Sequence, residues 1–494
     1  MRRRRHWGWG YDDEPVGEEA ADLAAHLGFG SAELEAPAPL ALPPPRVEVH
    51  DRDDHDRALH AHGSSYLDVL LALRGDLPNP PDAVVRPADE AELLRAFEWA
   101  DAANLALAPY GGGTSVVQGV DPLKLPRHAG AISLDLGRMD RVLEVDPASR
   151  AARIQAGATG PAIESQLAEH GMTLRFYPQS FERSTLGGWI ATRAAGHFAT
   201  GPTHIDDLVE AVRAVTVRGD VWESRRLPAS GAGPSPDRLL LGSEGTLAVI
   251  TEAWVRIRPR DEPRWSARVE LDEFASGLEL VREILQAGMR PSNCRLVEAR
   301  EAALTLSGDR TALHLGFEGD VADARRAHDL CARHGEVVHG GGGAWRAAFL
   351  RAPHLRDTLV AMGVLTETFE TAVTWDRLPA FVEDVREATR EALGEGVVTC
   401  RITHAYADGA APYFTVVAPA RRGREDEQWG EVKRAASDAI LAGGGTITHH
   451  HAVGRLHRDW YDRQRPRPFA TALAAAKAAL DPDGRLNPGV LLGP

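Results

Sequence analysis

Apolar residues recur at helical spacing in a stretch that begins near residue 90. They lie three or four residues apart, on one face of a helix: Leu93, Leu94, Phe97 and Ala100. Asp89 and Glu92 form the pattern of a capping box at the start of this stretch. Asn104 suits its end. The pattern therefore predicts a helix that begins near residue 90.

Shorter apolar runs predict β-strands on both sides of a second helix. Strands are expected at residues 132–134, 142–145, 152–156 and 253–257. Residues 161–170 predict a helix with Pro161 at its first position. Because strands and helices do not alternate regularly, the pattern favours an α+β domain over repeated βαβ units.

The pattern changes after residue 262. Strands are expected at 269–271, 293–297, 313–317, 398–403 and 413–417, and helices at 274–287, 320–334, 378–393 and 425–442. This order predicts a second α+β domain. Residues 340–343 predict a flexible loop, and 469–480 a C-terminal helix. We divide the chain into an N-terminal arm and helical lead-in (1–79), two domains (80–262 and 263–445) and a C-terminal segment (446–494).

Three consecutive glycines stand between two apolar runs at residues 111–113, followed by Thr114 and Ser115. Glycine lets the backbone adopt positive φ and approach another group closely. Successive exposed amides in such a turn form a nest for an anion, most often a phosphate. The triglycine turn therefore predicts a phosphate site, although many glycine-rich turns only connect strands.

Two later segments have the same character. Residues 177–196 are rich in small and hydroxylated side chains, and residues 241–250 lead into a predicted strand. Hydroxyl groups and bare amides in such loops can bind a pyrophosphate and a flat heterocycle. The three segments together favour one shared ligand over three unrelated loops.

Charge and composition exclude several classes. The formal net charge of the 494-residue chain is -15, which argues against general nucleic-acid binding. Three separated cysteines offer neither a disulfide framework nor a zinc site, so we expect a reducing, cytoplasmic compartment. No apolar run approaches the ~20 residues that span a bilayer. The arginine run at residues 2–5 is expected to be a solvated tail, with contact to an anionic membrane surface as the alternative.

In this order and at these separations, the three segments resemble the flavin-binding domain of the PCMH-type, vanillyl-alcohol-oxidase flavoproteins. Other stretches are similar to the alkyldihydroxyacetonephosphate synthase (alkylglycerone-phosphate synthase) family. They are residues 7–11, 184–194, 317–320, 374–377, 399–403 and 449–456, the last with three consecutive histidines. The similarity covers nearly the whole chain.

The resemblance implies an α+β fold with a two-part PCMH-type FAD-binding domain (80–262), an α+β cap or substrate domain (263–445) and a C-terminal segment that returns to the flavin. It implies non-covalent FAD, and no histidine or cysteine stands in the triglycine turn. The residues it assigns to the cofactor are Tyr110, Gly111, Gly112, Gly113, Thr114, Ser115, Val116, Gln179, Ser180, Ser184, Thr185, Gly188, Thr192, Arg193, Ala194, Glu244, Gly245, Thr246, Val249 and Ile250.

The activity implied by the resemblance belongs to ether lipid synthesis. The acyl chain of acyl-dihydroxyacetone phosphate is exchanged for a fatty alcohol, with no net transfer of electrons. The expected partners are thus a phosphate-bearing ketone lipid and a long-chain alcohol. We also expect a homodimer and peripheral contact with a membrane.

Tyr413 matches the catalytic tyrosine of the family. A phenol has a reference pKa of ~10 and is a poor base near neutral pH, so neighbouring cations would have to lower its pKa. His449, His450 and His451 are the candidates, and His451 is best placed by the match. The alternatives for this run are a metal site or a solvated cluster. Since neighbouring residues of a strand point to opposite faces, we expect no metal.

Arginines suit the substrate phosphate because of their bidentate guanidinium. Arg356 and Arg295 match arginines of that pocket and Arg401 is a third candidate, with Arg356 ranked first. Each could equally form a structural ion pair. In one departure, Phe176 stands where the family has an active-site histidine, which leaves the substrate open. Arg175 or His197 is the candidate to replace the lost polar group.

Two other functions stay open from the sequence. The first is a flavin oxidoreductase that acts on a 2-hydroxy acid such as D-lactate or glycolate. The second is a flavoprotein or binding protein without catalysis. Tyr413 and the histidine run argue against the second, because a protein without catalysis has no need of them.

Overall fold

The structure is a computed structural model that describes residues 2–48, 53–198, 200–260, 264–305, 308–319, 322–340 and 342–493. Nothing is stated about the side chains of residues 342–350. The predicted boundary between residues 262 and 263 lies outside the described residues, as do the start of the helix predicted at 320 and Gly341 of the predicted loop.

Three helices precede the first strand: α1 (Ala20–Leu27), α2 (Asp54–Leu59) and α3 (Tyr66–Leu73). The first sheet has three parallel strands in the order β1-β3-β2: β1 (Ala83–Val85), β2 (Leu105–Tyr110) and β3 (Gly130–Asp135). Helix α4 (Glu90–Ala102) connects β1 to β2. Its predicted cap is confirmed, since the Asp89 side chain accepts a hydrogen bond from the Glu92 amide. Leu93, Phe97 and Ala100 are buried on one face, as the spacing predicts.

The second sheet has five antiparallel strands in the order β4-β5-β9-β7-β8. They are β4 (Val142–Asp146), β5 (Ala151–Gln155), β7 (Val209–Val215), β8 (Val221–Glu223) and β9 (Val249–Arg256). Strands β6 (Met172–Thr173) and β10 (Arg258–Pro259) form a separate antiparallel pair. The accompanying helices are α5 (Gly160–Ala168), α6 (Leu186–Thr192), a 3-10 turn (Ile205–Asp207) and α7 (Asp237–Leu240).

The strands after residue 263 belong to an antiparallel sheet of eight strands within the described residues. Seven follow the order β14-β11-β13-β12-β17-β18-β15, and β16 pairs with β18. The strands are β11 (Arg264–Leu271), β12 (Asn293–Val297), β13 (Thr311–Glu318), β14 (Glu336–His339), β15 (Val364–Glu370), β16 (Val373–Thr374), β17 (Val397–Ala405) and β18 (Gly409–Pro419). We refer to it as the large sheet.

Helices cover the large sheet. They are α8 (Phe274–Gln286), α9 (Ala299–Leu304), α10 (Ala322–Cys331), α11 (Gly342–Ala361), α12 (Leu378–Leu393) and α13 (Glu425–Ala442). Helix α12 shows why they pack there. Leu378, Phe381, Val382 and Val385 follow the helical period and are at most 2% exposed. A continuous core forms between these helices and the sheet.

Most predicted elements of both domains are confirmed. Several elements were missed, among them strands β7, β14 and β15 and the long helix α11, whose start falls within residues 340–343, expected to be a flexible loop. Helix α11 begins at Gly342, and β15 follows directly after it. Glycines are strong turn signals, so they masked the helix start.

The N-terminal arm corrects a second expectation. Trp7 and Trp9 are buried. The arginine run is not wholly a solvated tail, because Arg5 is buried and donates to the carbonyl oxygens of Trp9 and Tyr11 at 2.6 and 2.9 Å. Arg2 and Arg3 are exposed, as expected.

The C-terminal segment contains α14 (Arg458–Gln464) and α15 (Arg467–Leu480) and returns to the first sheet. Leu486 forms a parallel bridge with Leu107 of β2. Lys477 fixes this return, because its ammonium donates to the carbonyl oxygens of Thr246 and Leu486 at 2.8 and 2.7 Å and to the Asp481 carboxylate at 2.5 Å.

Among the helices of the described residues, we find none with the length and apolar character needed to cross a membrane.

We predict that Lys477→Met destabilises the protein by about 3 kcal/mol, because it leaves the buried Asp481 carboxylate without its cation. Chemical denaturation measures this loss. Arg467→Met, at an exposed position of the same helix, is the control and should change the free energy of unfolding little. Equal losses of stability in the two variants would contradict the role of Lys477 as the cation that stabilises Asp481.

Candidate functional site

The triglycine turn follows β2 and packs against the second glycine-rich segment. A Cβ atom added to Gly112 would lie 1.9 Å from the carbonyl oxygen of Arg183. One added to Gly111 would lie 2.3 Å from the hydroxyl oxygen of Thr185. Only glycine leaves room for this approach. The first two segments predicted to bind the cofactor are therefore in contact.

The amides of the same turn are available to an anion. Within the described part of the chain, no protein acceptor takes a hydrogen bond from the amides of residues 111–114. Gly113 has a φ of +70°. Successive free amides in a turn of this kind form a concave nest for a phosphate. The residues present thus fit the pyrophosphate of FAD.

Glu244 joins the third segment to the C-terminal part of the chain. Its carboxylate accepts hydrogen bonds from the amides of Val453 and Gly454 at 2.9 and 2.8 Å. Burial raises the pKa of Glu244 to about 7, although these two hydrogen bonds oppose the rise. The Asn487 side chain donates to the carbonyl oxygens of Glu244 and Gly119 at 2.7 and 3.0 Å. The first and third segments therefore lie together, beside the loop that follows the histidine run.

The other predicted cofactor residues lie on the same elements. Gln179, Ser180, Ser184 and Ala194 precede or follow α6, Gly188 and Thr192 lie within it, Ser115 and Val116 follow the triglycine turn, Gly245 and Thr246 precede β9, and Val249 and Ile250 begin β9. Their roles stay predictions.

Several of these side chains bind other protein groups. The Tyr110 hydroxyl donates to the carbonyl oxygen of Leu59 at 3.0 Å, so this phenol points into the protein. Arg193 forms an ion pair with Asp206 at 2.8 Å. The Thr192 hydroxyl donates to a carbonyl oxygen of its own helix at 2.8 Å. Backbone groups of these residues are therefore better candidates than their side chains for contact with a cofactor.

Tyr413, Arg401 and Glu370 lie side by side across three strands of the large sheet. Tyr413 of β18 pairs with Arg401 of β17 on one side and with Glu370 of β15 on the other. Paired residues of neighbouring strands point to the same face of a sheet. Strand register therefore explains how residues distant in the sequence meet in one row.

The three consecutive histidines bend around the carboxylate of Glu370. This carboxylate accepts hydrogen bonds from the amides of His449, His450 and His451 at 2.5, 3.1 and 2.8 Å. It also accepts one from the Thr448 hydroxyl at 2.6 Å. The expectation of an extended strand is wrong here, because three successive amides converge on one carboxylate.

The imidazole rings gather as a result. Nδ1 of His449 lies 2.9 Å from Nδ1 of His450. Nδ1 of His450 and Nδ1 of His451 each lie 3.7 Å from a Glu370 oxygen. The Tyr413 ring contacts both, with centroid distances of 6.2 Å to His450 and 5.6 Å to His451. The predicted tyrosine and histidines therefore form one cluster.

Burial determines the protonation of this cluster. It lowers the pKa of His449 and His450 well below the usual 6.5 and also lowers that of His451, which the Glu370 charge opposes. Burial raises the pKa of Glu370, but the neighbouring histidines and the hydrogen bonds from Thr448 and the His450 amide bring it down to about 2. At neutral pH we therefore infer an ionised carboxylate beside neutral imidazoles.

Tyr413 differs from the expectation of a lowered phenol pKa. Burial raises the pKa of Tyr413, and the Arg401 guanidinium opposes the rise. The guanidinium carbon lies 4.0 Å from the centre of the tyrosine ring. The cation beside the phenol is therefore Arg401 and not one of the imidazoles, and the phenol keeps its proton at neutral pH.

Three further side chains belong to the cluster but were missed by the sequence analysis. The Tyr406 hydroxyl and Nε2 of His204 lie 2.7 and 3.1 Å from Nε2 of His449. The His404 ring centre lies 4.9 Å from that of His449. Only His404 carried a signal, since it directly follows the motif at residues 399–403.

The histidines also meet the distance requirement of a metal site. Ligating atoms of His404, His449 and His450 lie within 4.8 Å of one another, as do those of Glu370, His450 and His451. The argument from opposite strand faces does not hold for this bend. Neutral imidazoles can donate and accept hydrogen bonds, which accounts for the contacts without an ion. The absence of a metal stays a prediction.

Two of the three candidate phosphate arginines lie near Tyr413. Arg401 forms an ion pair with the buried Glu301 and donates to the Thr415 hydroxyl at 3.0 Å. Arg295 is 1% exposed and donates to the carbonyl oxygen of His197 at 2.9 Å. Burial and the nearby Arg401 lower the pKa of Arg295 to about 9.

Arg356 lies elsewhere, on α11. Its guanidinium donates to the carbonyl oxygen of Ser64 and to the Asp357 carboxylate, the latter at 2.8 and 3.0 Å. Ser64 in turn donates through its hydroxyl to the carbonyl oxygen of Gly113 at 2.8 Å. The contacts of Arg356 therefore connect it to the triglycine turn, through Ser64, and not to the histidines.

Phe176 stands where the resemblance implies a histidine, and it makes an apolar contact there. It is 2% exposed, and its ring centre lies 4.9 Å from that of Trp189. Arg175, one candidate replacement, forms an ion pair with Glu318 and stacks on Phe198. The carbonyl oxygen of His197, the other candidate, accepts a hydrogen bond from Arg295. His197 is therefore the candidate connected to the cluster.

Comparison with known proteins agrees with this geometry. A family described as "FAD binding domain" matches residues 81–225, and one described as "FAD linked oxidases, C-terminal domain" matches residues 260–491. The alkyldihydroxyacetonephosphate synthase of Caenorhabditis elegans is 32% identical over 469 residues, which cover 86% of this chain and 78% of the relative. That of Dictyostelium discoideum is 29% identical over 474 residues, or 88% and 77%.

The fold also matches a solved structure. An alkyldihydroxyacetonephosphate synthase superposes with a TM-score of 0.81 at 22% identity, over 98% of this chain and 97% of that one. The α+β fold with an FAD-binding part and a C-terminal part is therefore confirmed. FAD is the cofactor, and the free amides of the triglycine turn suit its pyrophosphate.

We predict that the histidine cluster makes the protein sensitive to acid. An imidazole with a folded pKa below its unfolded value binds a proton mainly after unfolding. The stability that such a neutral imidazole contributes is therefore fully present above pH 6.5 and is lost as the pH falls below 6.5. The loss approaches about 1.4 kcal/mol per pH unit for each such group.

His404→Asn removes one such group and should make the pH dependence shallower by up to that amount. Chemical denaturation at several pH values between about 7.5 and 5 measures both slopes. Identical slopes for His404→Asn and the wild type would show that His404 is not held neutral by the fold.

Proposed function

Because the chain belongs to the alkyldihydroxyacetonephosphate synthase family, we propose that it exchanges the acyl chain of acyl-dihydroxyacetone phosphate for a fatty alcohol. The ester bond to the fatty acid breaks and an ether bond to the alcohol forms, with no net oxidation or reduction. The substrates are then a phosphate-bearing ketone lipid and a long-chain alcohol.

The row of Tyr413, Glu370 and the histidines is the observation that carries this proposal. The reaction needs a base to remove a proton next to the ketone and an acid to return one. Neutral imidazoles and a protonated phenol lie in contact on one face of the large sheet. The cluster can therefore serve both needs without a change of its total charge.

We assign the base to His451 and the acid to Tyr413. Nδ1 of His451 faces the Glu370 carboxylate at 3.7 Å, which favours the imidazolium that forms when Nε2 takes a proton. Tyr413 keeps its proton at neutral pH and can donate it from its hydroxyl oxygen. Bound FAD supplies an electrophilic ring that can accept a carbon nucleophile.

The substrate phosphate is better served by Arg295 and Arg401 than by Arg356. Arg401 stacks on Tyr413, and the charges of Arg295 and Arg401 act on each other across adjacent strands. Two guanidinium groups in a buried site favour a dianion. Arg356 contacts a different part of the molecule.

The cytoplasmic location, the homodimer and peripheral membrane contact belong to the same proposal. Both substrates are lipids, so the enzyme has to take them from a bilayer. Gel filtration and flotation with lipid vesicles measure the dimer and the membrane contact.

The decisive assay mixes the purified protein with acyl-dihydroxyacetone phosphate and labelled hexadecanol. Ether product without an added electron acceptor supports the proposal. Bleaching of the flavin by D-lactate, with no ether product, would instead indicate an oxidoreductase that acts on 2-hydroxy acids.

We predict that Tyr413→Phe lowers the exchange rate about a thousandfold while the protein stays yellow, because only the donated proton is lost. Label transfer and the flavin absorption spectrum measure the two properties. Tyr66→Phe removes a second buried phenol, on α3, and should keep the wild-type rate. A wild-type rate for Tyr413→Phe would remove Tyr413 from the mechanism.

We predict that Glu370→Gln lowers the exchange rate about a hundredfold. The uncharged amide also stabilises the His451 imidazolium less, so the acid limb of the pH–rate profile should move to lower pH. A slower variant with an unshifted profile would mean that Glu370 only shapes the loop and does not tune His451.

A further inference from the structure

The first residues of the chain form a short hairpin that docks beside the triglycine turn. Arg4 and Tyr11 form an antiparallel bridge, and Arg5 closes the hairpin through carbonyl oxygens. The Trp9 amide donates to Asp357 of α11, and the Arg183 guanidinium donates to the carbonyl oxygen of Gly10 at 2.7 Å. The hairpin therefore contacts both the second glycine-rich segment and a helix of the large sheet.

This hairpin places Arg4 on the triglycine turn. Its guanidinium donates to the carbonyl oxygen of Gly112 at 3.2 Å. Its buried Nε has no hydrogen-bond partner in the described part of the chain. Arg4 also acts on the phenol of Tyr110, the residue that precedes the turn. A buried guanidinium nitrogen without an acceptor is costly unless a ligand supplies one.

A second arginine lies beside the first. Arg183 stacks on the Trp9 ring at 4.3 Å, and its backbone carbonyl is the group that packs on Gly112. Burial and the nearby Arg4 charge lower the pKa of Arg183 to about 10. The nearby carboxylate of Asp357 is already bonded to Arg356 and to the Trp9 amide.

Neither Arg4 nor Arg183 forms an ion pair with a carboxylate in the described residues, whereas Arg175 and Arg356 do so. Two like charges held together at low exposure repel each other unless an anion lies between them. The amides of residues 111–114 are donors that lack acceptors in the described part of the chain, so an anion would also satisfy them. One anion would satisfy both sets of groups.

We propose that Arg4 and Arg183 bind the pyrophosphate of FAD, so that the N-terminal hairpin is a part of the cofactor site. The two guanidinium groups would supply positive charge to the pyrophosphate, and the amides of the triglycine turn would supply hydrogen-bond donors to it. The proposal rests on FAD as the cofactor and not on the proposed transfer reaction.

The test measures binding of FAD and of riboflavin, which has no phosphate, to the apoprotein by quenching of flavin fluorescence. Arg4→Gln and Arg183→Gln should each weaken FAD binding about tenfold or more, the usual effect of losing a charged hydrogen bond. Riboflavin binding should stay at the wild-type value in both variants. High ionic strength should weaken FAD binding less in the variants than in the wild type.

Arg3→Gln is the matched control, since Arg3 is the exposed neighbour of Arg4 and pairs with the exposed Asp12 at 3.5 Å. It should bind FAD as the wild type does. A loss in Arg3→Gln equal to that in Arg4→Gln would overturn the proposal, because it would indicate a general charge effect. An equal loss of riboflavin binding would also overturn it, since the hairpin would then only shape the site.

A phosphate ester substrate offers the same chemistry as the pyrophosphate, so a second arm separates them. Dihydroxyacetone phosphate is titrated into the FAD-loaded protein and followed by the flavin spectrum. Unchanged FAD affinity in Arg4→Gln and Arg183→Gln, with weaker binding of dihydroxyacetone phosphate, would assign the arginines to the substrate and overturn the proposal. A loss of FAD affinity in the two variants would support the proposal even if the protein made no ether product.

Discussion

The site depends on the hydrogen bonds that the buried carboxylate of Glu370 accepts. Four hydrogen bonds converge on it, three from consecutive backbone amides and one from the Thr448 hydroxyl. An ionised carboxylate in this environment is tolerated only because these donors replace the water it has lost. The same bonds determine the path of residues 448–451 and thus the position of each imidazole. A strand of the large sheet and a loop from the C-terminal segment are thereby held at one point.

The surroundings of Glu370 also determine which side chains of the site are charged and which are neutral. The imidazoles are partly buried around one carboxylate, and loss of solvent lowers their pKa values, so a single negative charge faces several neutral rings. On the other side of Tyr413, the Arg401 charge is balanced by Glu301. The phenol therefore lies between the Glu370 carboxylate and the Arg401–Glu301 ion pair, and burial keeps it protonated at neutral pH. In the proposed reaction such a cluster takes up one proton and returns another, so its total charge is the same before and after.

The sequence predicted what short patterns encode. The cap at Asp89, the apolar faces of the helices and the triglycine turn all depend on neighbours within a few residues, and the structure contains them. Glu370 was missed because its role depends on strand register and on a loop about eighty residues later. The contact of Arg4 with Gly112 was missed for a similar reason, since a run of arginines is usually solvated. Local chemistry was therefore predictable, whereas partners brought together by tertiary packing were not.

Phe176 shows how such packing bears on specificity. Where the resemblance leads us to expect a histidine, this chain places a phenylalanine on Trp189, next to Gly196, whose carbonyl oxygen accepts a hydrogen bond from His404. His404 in turn packs against His449 and His450. A polar group lost at position 176 is thus separated by only a few contacts from imidazoles that the family match did not include, His404 and His204. Position 176 is therefore linked, through the second glycine-rich segment, to imidazoles that lie against the large sheet.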